Sequence, residues 1–222
     1  MRKSLLTASI LAMALAAPLA QAYQAGDIIL RAGAATVDPS EDSSPLKLNG
    51  APLGGQATLD SDTQLGLTGT YMLSDHLGIG LLAATPFKHR VGLKGLSALD
   101  GKLADIKHLP PTLSLQYFPL PTASRLQPYV GAGLNYTLFF DEELTSQREA
   151  QGFSNLELDD SWGLALEAGV DYALTDNLLL NASLWYLDID TTASADLTGA
   201  GQVEVDVDVD PWVYMVGLGY KF

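Results

Sequence analysis

The chain contains no cysteine and few basic residues. Across its 222 residues there are 12 basic and 26 acidic side chains, which give a formal net charge of −14. Without cysteine, an exported protein has no disulfide framework and must gain its stability from burial, from strand pairing or from lipid. An acidic chain is also a poor partner for nucleic acid, so we expect no nucleic-acid binding.

The sequence also lacks the usual marks of a catalytic or metal centre. It has no glycine-rich phosphate loop, and His76, His89 and His108 are not spaced as metal ligands, so we interpret them as separate loop or interface residues. The alternating aspartates near the C-terminus lack the glycine turn of a calcium loop, which leaves weak outer binding of divalent ions as a hypothesis. We therefore expect no enzymatic activity, no cofactor and no resident metal.

The first 22 residues predict a secretory signal peptide. They read MRKSLLTASILAMALAAPLAQA, with two basic residues, an apolar run and a small-residue Ala-Gln-Ala site. The run is short for a membrane span and is interrupted by Pro18, which argues against an anchoring helix. We expect a cleaved signal at 1–22 and one domain at 23–222. Loss of two basic residues and no acidic one moves the net charge from −14 to −16.

No apolar run of transmembrane-helix length follows Tyr23, but apolar residues alternate with polar or small ones. Such alternation is typical of strands with two different faces. Short and long connections also alternate along the chain. The pattern predicts an all-β fold, an eight-stranded antiparallel transmembrane β-barrel with short periplasmic turns and long extracellular loops in an up-and-down meander. The eight alternating segments are 26–37, 62–73, 77–89, 109–118, 128–140, 161–174, 178–190 and 202–222.

The faces of these segments favour a membrane barrel over a soluble one. In segment 161–174 the large apolar residues share one face, and glycine, alanine and two acids share the other. Tyrosine or tryptophan lies near most predicted strand ends, as in the aromatic girdles of membrane barrels. Tyr220 and Phe222 close the last alternating strand, which resembles an assembly signal of outer-membrane barrels. A lipocalin-like soluble barrel, with its apolar residues inside, is the alternative.

Six stretches together resemble the outer membrane protein W (OmpW) family, most closely its OprG branch. The resemblance implies a multi-pass barrel in the Gram-negative outer membrane. Such a barrel passively admits small, largely hydrophobic molecules through an apolar lumen and a lateral opening. The implied partners are outer-membrane lipid, lipopolysaccharide, periplasmic chaperones and the barrel-assembly machinery. The loops at 38–61 and 191–201 depart from the family pattern. The stretches are TQLGLTGTYMLSDHLGIGLLAATPFKH, HLPPTLSLQYF, PYVGAGLNYTLFFD, DSWGLALEAGVDY, NASLWYLDIDTTA and VDPWVYMVGLGYKF.

The last segment, QVEVDVDVDPWVYMVGLGYKF, changes phase halfway along. Its apolar residues stand at odd numbers up to Val209 and at even numbers from Trp212. If the strand keeps one parity, its aspartates point outward above the membrane and its valines point inward. The alternative is a bulge at Pro211 that reverses the faces and places the aspartates in a cation-attracting vestibule. The predicted apolar upper lumen consists of Leu187, Ile189, Val205, Val207 and Val209.

Two further features concern the path of a solute. By parity Leu82 and Trp185 face the lumen, and the family resemblance implies that they narrow its floor; ordinary filling of a narrow interior is the alternative.

Pro86, Pro110 and Pro111 fall at similar heights on adjacent strands, and each lacks a backbone donor. We predict a lateral opening there, the alternative being that both strands end above the membrane.

Three functions are compatible with the sequence. The first is passive uptake of small hydrophobic compounds. The second is a channel for small amino acids or other small polar solutes, which Asn135, Thr137 and Glu167 on the inward face would permit. The third is a structural or surface-interaction barrel without transport.

Overall fold

The computed structural model describes residues 23–40 and 42–222, apart from the side chain of Ala98, and these residues are mostly β-structure. The predicted signal peptide at 1–22 lies outside them. A 3₁₀ turn occupies Ser97–Leu99 and helix α1 occupies Ser146–Ala150. In this part of the chain, no helix is long and apolar enough to cross a membrane. The strands are β1 (Ile28–Asp38), β2 (Asp42–Ser43), β3 (Leu46–Leu48), β4 (Ala51–Gly54), β5 (Gln56–Leu59), β6 (Asp62–Met72), β7 (Leu77–Ala84), β8 (Phe87–Lys94), β9 (Gly101–Leu109), β10 (Thr112–Tyr117), β11 (Leu126–Leu144), β12 (Phe153–Leu158), β13 (Ser161–Ala173), β14 (Leu178–Leu187), β15 (Asp190–Leu197), β16 (Gly201–Asp208) and β17 (Trp212–Lys221).

Eight of these strands close into a barrel. Around the wall their order is β1, β6, β7, β10, β11, β13, β14 and β17, each antiparallel to its neighbours. The last strand returns to the first, so the closing seam places Lys221 opposite Ile29. The wall follows chain order throughout, which confirms the predicted eight-stranded meander.

At the end opposite the chain termini the wall continues upward. β8 and β9 extend the third and fourth barrel strands, β15 and β16 extend the seventh and eighth, and β11 runs for 19 residues. A second sheet of six strands follows the order β12, β15, β16, β3 and β4, with β2 also paired to β16. The four long connections predicted at 38–61, 90–108, 141–160 and 191–201 lie at this end, and much of each consists of paired strands.

The outward face of the barrel is an apolar band bordered by aromatic rings. Leu164, for example, is 64% exposed. At the upper border Tyr136 lies 4.5 Å from Trp162 and Tyr186 lies 5.4 Å from Trp212, measured between ring centroids. We call these four rings the outer girdle. Such a band between two aromatic borders fits hydrocarbon between two membrane interfaces. The lower border carries Tyr71, Tyr117, Tyr172, Tyr220 and Phe222.

The strand break at Pro211 is crossed in register. Tyr186 pairs with Trp212 below the break, and Asp190 pairs with Asp208 above it. Three residues on each strand therefore separate the two ladders, and backbone hydrogen bonds join these residues across the strands. Because the counts are equal, the two strands pass the break together and neither gains a residue on the other.

The side chains on either side of Pro211 keep one parity. Odd-numbered residues point inward from β16 into β17, where Val213 is 2% exposed, whereas Asp206 and Asp208 are exposed to the outside. The structure thus has outward carboxylates and not the reversed faces of the bulge alternative. The inward valines of the upper segment are Val203, Val205, Val207 and Val209.

The break at Pro86 differs because the third strand contains one residue too many. Between Leu82, opposite Thr112, and Phe87, opposite His108, it has four residues where the fourth strand has three. An extra residue of this kind is a β-bulge, and it turns every following side chain to the other face. Accordingly, the odd-numbered residues of β7 point outward. In β8 it is the even-numbered residues that point outward.

Candidate functional site

The upper half of the interior is an apolar chamber. Inward side chains of β8, β9, β15 and β16 line it, together with residues of β3, β5 and β12. The chamber encloses a cavity of about 50 Å³. The five residues predicted for the apolar upper lumen are all buried in this hydrophobic cluster, none more than 7% exposed: Leu187, Ile189, Val205, Val207 and Val209.

Leu82 and Trp185 lie at the lower end of the chamber. Both belong to its hydrophobic cluster and both are buried. Trp185 pairs across the strands with Glu167, a charged residue on the inward face of β13. The two side chains therefore stand where the apolar interior gives way to a polar one. Their position agrees with a floor of the chamber, and their role as a constriction stays a prediction.

Below this floor a hydrogen-bonded network fills the barrel. Arg31 donates through Nε and Nη2 to both carboxylate oxygens of Asp171, at 3.0 and 2.5 Å, and through Nη1 to Thr70 at 2.8 Å. Thr70 donates to Gln116, whose amide donates to Glu167 at 2.8 Å. All five side chains are buried. Buried charges persist when they are paired and their remaining polar atoms are bonded, so this network is held in one arrangement across four strands.

Three aromatic rings close the end of the barrel near the chain termini. The Tyr23 hydroxyl donates to Asp171 at 2.5 Å, and its ring packs edge-on against Phe118 at 5.1 Å. Phe118 lies 5.1 Å from Tyr129 in turn, and all three rings are buried. Since Tyr23 is the first residue after the predicted signal peptide, the mature N-terminus would form part of this closure.

The wall between the third and fourth strands is interrupted beside the floor of the chamber. The ladder stops at Leu82 and resumes at Phe87. Next to the gap, the Thr85 N–H and the Pro111 carbonyl form their hydrogen bonds with the strands on their other sides. Proline offers no backbone N–H to close such a gap. The prolines that flank it are the three predicted ones, Pro86, Pro110 and Pro111.

Two histidines interpreted as separate are in contact above the gap. The rings of His89 and His108 have centroids 4.8 Å apart and both are buried; His108 also packs edge-on against Phe87 and Phe139. Burial, and then repulsion from His89, lowers the pKa of His108 to about 3, a shift that Asp62 opposes. The interpretation of these histidines as isolated residues is therefore wrong. His76 remains apart from them, beside the carbonyl of Phe118.

Three carboxylates meet just above the outer girdle. Asp188, Asp190 and Asp210 each offer an oxygen within 4.8 Å of the others. Burial, and then repulsion from neighbouring carboxylates, raises the pKa of Asp190. Asp210 has a left-handed φ of 33° and accepts hydrogen bonds from the Ile189 N–H and the Tyr186 hydroxyl. These bonds fix Asp210 at the strand break, and divalent-ion binding there stays a hypothesis.

The comparison with known proteins decides the family. The OmpW family profile matches residues 24–222. The chain belongs to the OmpW family of outer-membrane proteins. This OmpW-family barrel is 45% identical to outer membrane protein W of Escherichia coli (strain K12) over 222 residues, which are 99% of this chain and 100% of the relative. The expected family, the Gram-negative outer-membrane location and the absence of enzymatic activity are confirmed.

Two further relatives cover most of the OmpW-family barrel. The crystal structure of the outer membrane protein OprG from Pseudomonas aeruginosa is 60% identical, with a TM-score of 0.88, over 91% of this chain and 98% of that one. Outer membrane protein AlkL of Ectopseudomonas oleovorans is 28% identical over 202 residues, 90% of this chain and 84% of the relative. Outer-membrane barrels place their short turns in the periplasm, so the apolar chamber is extracellular and the Tyr23 end is periplasmic.

Sequence reasoning missed the Arg31–Asp171 pair and the His89–His108 contact. A signal for Arg31 was present, because its odd number places it on the inward face of β1, and a charge inside a narrow barrel requires a partner. No comparable signal existed for His89. Its inward position depends on the one-residue bulge at Pro86, which becomes visible only when the third and fourth strands are paired.

Proposed function

We propose that this OmpW-family barrel passively admits small, largely hydrophobic molecules, which enter the apolar chamber and leave sideways through the gap at Pro86, Pro110 and Pro111. The observation that carries the proposal is the change of chemistry along the barrel axis. A hydrophobic solute has a lower free energy in the apolar chamber than in water. It cannot continue down the axis without breaking bonds between buried ionic groups such as Arg31 and Asp171, which is costly.

The height of the gap supports a lateral exit. Leu82 lies just below the gap and Phe87 just above it, and both side chains are inward and buried. The carbonyl of Pro111 accepts a hydrogen bond from the N–H of Tyr136, a residue of the outer girdle. A solute that leaves here reaches the outer edge of the hydrocarbon layer, where apolar molecules are stable. The wall parts most easily at this point because the two strands share no ladder bonds across it.

The size of the chamber implies that its lining moves during passage. Its cavity of about 50 Å³ is far below the roughly 300–1,000 Å³ of ordinary ligand sites. A solute must therefore displace side chains on its way from the chamber to the gap. Leu82 and Trp185 stand on that path, and we propose that they form its constriction.

A second candidate function, passage of small polar solutes, has one observation in its favour. Near the floor, Trp185 Nε1, Thr68 Oγ1 and Ser183 Oγ are buried and have no hydrogen-bond partner among the described residues. These atoms could bond a polar solute. The Arg31–Asp171 network lies between them and the periplasm, so the hydrophobic route remains the proposed one.

The test replaces the three prolines with residues that carry an N–H, as Pro86→Val, Pro110→Thr and Pro111→Val. Each bond restored across the gap adds about 1 kcal/mol to the cost of parting the strands, so opening becomes roughly fivefold rarer per bond. An N–H at position 111 faces Tyr136 of β11, so it adds no bond across the gap itself. We expect the triple variant to take up hydrophobic solutes correspondingly more slowly. The measurement is uptake into proteoliposomes with a panel of hydrophobic and zwitterionic solutes, after heat-modifiability on gels has shown that the barrel is folded.

A matched control replaces three exposed prolines away from the gap, Pro45, Pro119 and Pro121, and should retain normal uptake. Unchanged uptake in a well-folded gap variant would remove the lateral route. Faster uptake of zwitterionic than of hydrophobic solutes would favour the polar-solute channel. No uptake of any solute by the wild-type barrel would favour a structural or surface-interaction role.

A further inference from the structure

Half of the basic side chains of the described residues lie on one extracellular hairpin. Residues 23–222 contain ten basic residues, and five of these belong to β8 and β9. The bulge at Pro86 is the reason that β8 presents its cations to the outside. In a chain of such acidity, this hairpin is a local reversal of charge. We call these five side chains, Lys88, Arg90, Lys94, Lys102 and Lys107, the basic hairpin.

The basic hairpin begins at the height of lipid headgroups. The Lys88 N–H donates to Asp62 at 2.8 Å, and Asp62 is one step in register from Asp38, which pairs with Trp212 of the outer girdle. Lys107 lies directly across the ladder from Lys88. Like charges in such a cross-strand pair destabilise the sheet. A bound anion would remove that cost.

Above this lysine pair, a groove of about 320 Å³ opens on the outer surface. Thr58, Arg90 and Lys102 line it together with Asp60, the ion-pair partner of Arg90, and with Gly92 and Gly101. Gly92 keeps the groove open, because a Cβ atom there would lie 2.6 Å from Thr58 Oγ1. Two cations and a hydroxyl around a concave surface are the groups that bind phosphate.

The ion pairs within the protein leave part of this charge uncompensated. Lys88 Nζ is 3.8 Å from Asp105, and Arg90 Nε is 3.9 Å from Asp60. Asp105 already accepts a 2.7 Å contact from Lys102. Exposed pairs of this kind contribute little to stability, so a phosphate can replace them. The aspartates paired with the basic hairpin are Asp60, Asp105 and Asp141, three anions against five cations.

We propose that the basic hairpin is a docking surface for the phosphorylated glycolipid of the outer leaflet, lipopolysaccharide. Its phosphate groups bind to Lys88, Arg90, Lys102 and Lys107. The occupant is a lipid and not a free anion because the surface continues directly into the apolar band. Just below the gap, Leu81 and Leu113 pair across the wall and are both more than half exposed, so they would contact the acyl chains of the same molecule. The proposal does not depend on what the chamber transports.

The experiment measures binding of lipid A to the folded, detergent-purified barrel. Lys88 and Arg90 have the longest ion pairs in the protein's basic hairpin, so Lys88→Gln with Arg90→Gln should disturb folding least. Each lost charge-assisted bond is worth more than a neutral one, so the double variant should bind bisphosphorylated lipid A at least about tenfold more weakly. Binding of dephosphorylated lipid A should be the same for wild type and variant.

Two matched variants complete the test. Lys47→Gln with Arg125→Gln removes the same charge elsewhere on the surface and should change affinity by less than about twofold. The charge-retaining exchange Lys88→Arg with Arg90→Lys should bind lipid A nearly as well as wild type. Equal loss in both charge-removing variants would overturn the proposal, because it would show attraction to overall charge. Pyrophosphate that binds as tightly as lipid A would also overturn it, since the site would then select a soluble anion.

Discussion

The two proline breaks in the barrel wall, at Pro86 and at Pro211, have opposite consequences. Both prolines lie between two strand segments, and both remove a backbone donor. At Pro211 the strand and its neighbour each contribute three residues, and the side chains keep one parity through the break. At Pro86 four residues stand opposite three, and the side chains exchange faces.

The difference shows that side chains exchange faces at a break when the two strands contribute unequal numbers of residues. The proline itself does not cause the exchange. The bulge weighed as an alternative at Pro211 does occur in this protein, but at Pro86. There the exchange turns Phe87 and His89 inward and Lys88 and Arg90 outward. At Pro211 the same exchange would place aspartates in the chamber and expose its valines. Each break therefore suits the side chains that follow it.

The largest expected effect comes from adding one residue to the strand break at Pro211, so that four residues face three there, as they do at Pro86. One alanine inserted between Val209 and Asp210 would turn the four inward valines of this segment outward. Burial of each valine contributes about 1.5–3 kcal/mol, so the extracellular sheet should lose its native packing while the barrel below stays closed. Limited proteolysis of the heat-modifiable protein should then cut between residues 190 and 208.

The control places the same alanine after Gly199, in the exposed turn between β15 and β16, where it should leave the sheet resistant to protease. The converse deletion of Thr85 removes the extra residue of the third strand and should expose Phe87 and His89. If the insertion at Val209 gave a protease-resistant extracellular sheet, residue count would not set the faces.

A smaller effect is expected from exchanging charge between the two faces of β16. Val207→Asp places a carboxyl group in the apolar chamber without a partner, which should cost roughly 2–5 kcal/mol and reduce uptake of hydrophobic solutes. Asp208→Asn, one residue away on the exposed face, should be nearly silent. Stability is measured by urea denaturation and uptake in proteoliposomes. Equal effects of the two substitutions would contradict the inside-outside assignment.

The smallest expected effect is a change in local stability with pH, which should have opposite signs at the two breaks. His108, opposite Phe87, has a folded pKa near 3, whereas an unfolded histidine titrates near 6.5. As pH falls below about 6.5 the unfolded form binds the proton first, so local stability declines, by about 2–3 kcal/mol between pH 7 and pH 4.5. Near Pro211 the raised pKa of Asp190 gives the opposite sign, because its protonation relieves first the cost of burying the charge and then the repulsion among the carboxylates.

Hydrogen exchange, corrected for its intrinsic pH dependence, should therefore show that β8 and β9 open more readily in acid. The same measurement should show no such increase for β15 and β16. His108→Phe keeps an aromatic ring beside Phe87 and should abolish the acid sensitivity, while His76→Gln should leave it unchanged. Acid sensitivity that persists in His108→Phe would assign it to another group.

The sequence predicted the barrel well because every membrane strand carries a long alternating pattern. It did not predict the second sheet, since strands of two to four residues such as Leu46–Leu48 are too short to show a period. These strands form because β15 and β16 extend beyond the membrane and offer them a partner. Their existence depends on pairing across the fold, which local sequence does not contain.

The sequence predicted the candidate site to a similar extent as the fold. Parity placed Leu82, Trp185 and the inward valines correctly, because nothing shifts the register between them and the alternating pattern of their strands. It could not place His89, which follows the bulge. The contacts of the network across the lumen, such as Arg31 with Asp171, join residues 140 positions apart, and they follow from the closure of the wall.

The closing seam between β1 and β17 has a consequence for how the protein is made. The seam pairs the first barrel strand with the eighth, and the N–H of Phe222 donates to the carbonyl of Ile28. Contacts so distant in sequence form slowly, because almost the whole chain must be arranged before they can form. Until then both seam strands expose unpaired, apolar edges that can associate with other chains. The edges of β1 and β17 therefore stay unpaired until the strands between them have been arranged.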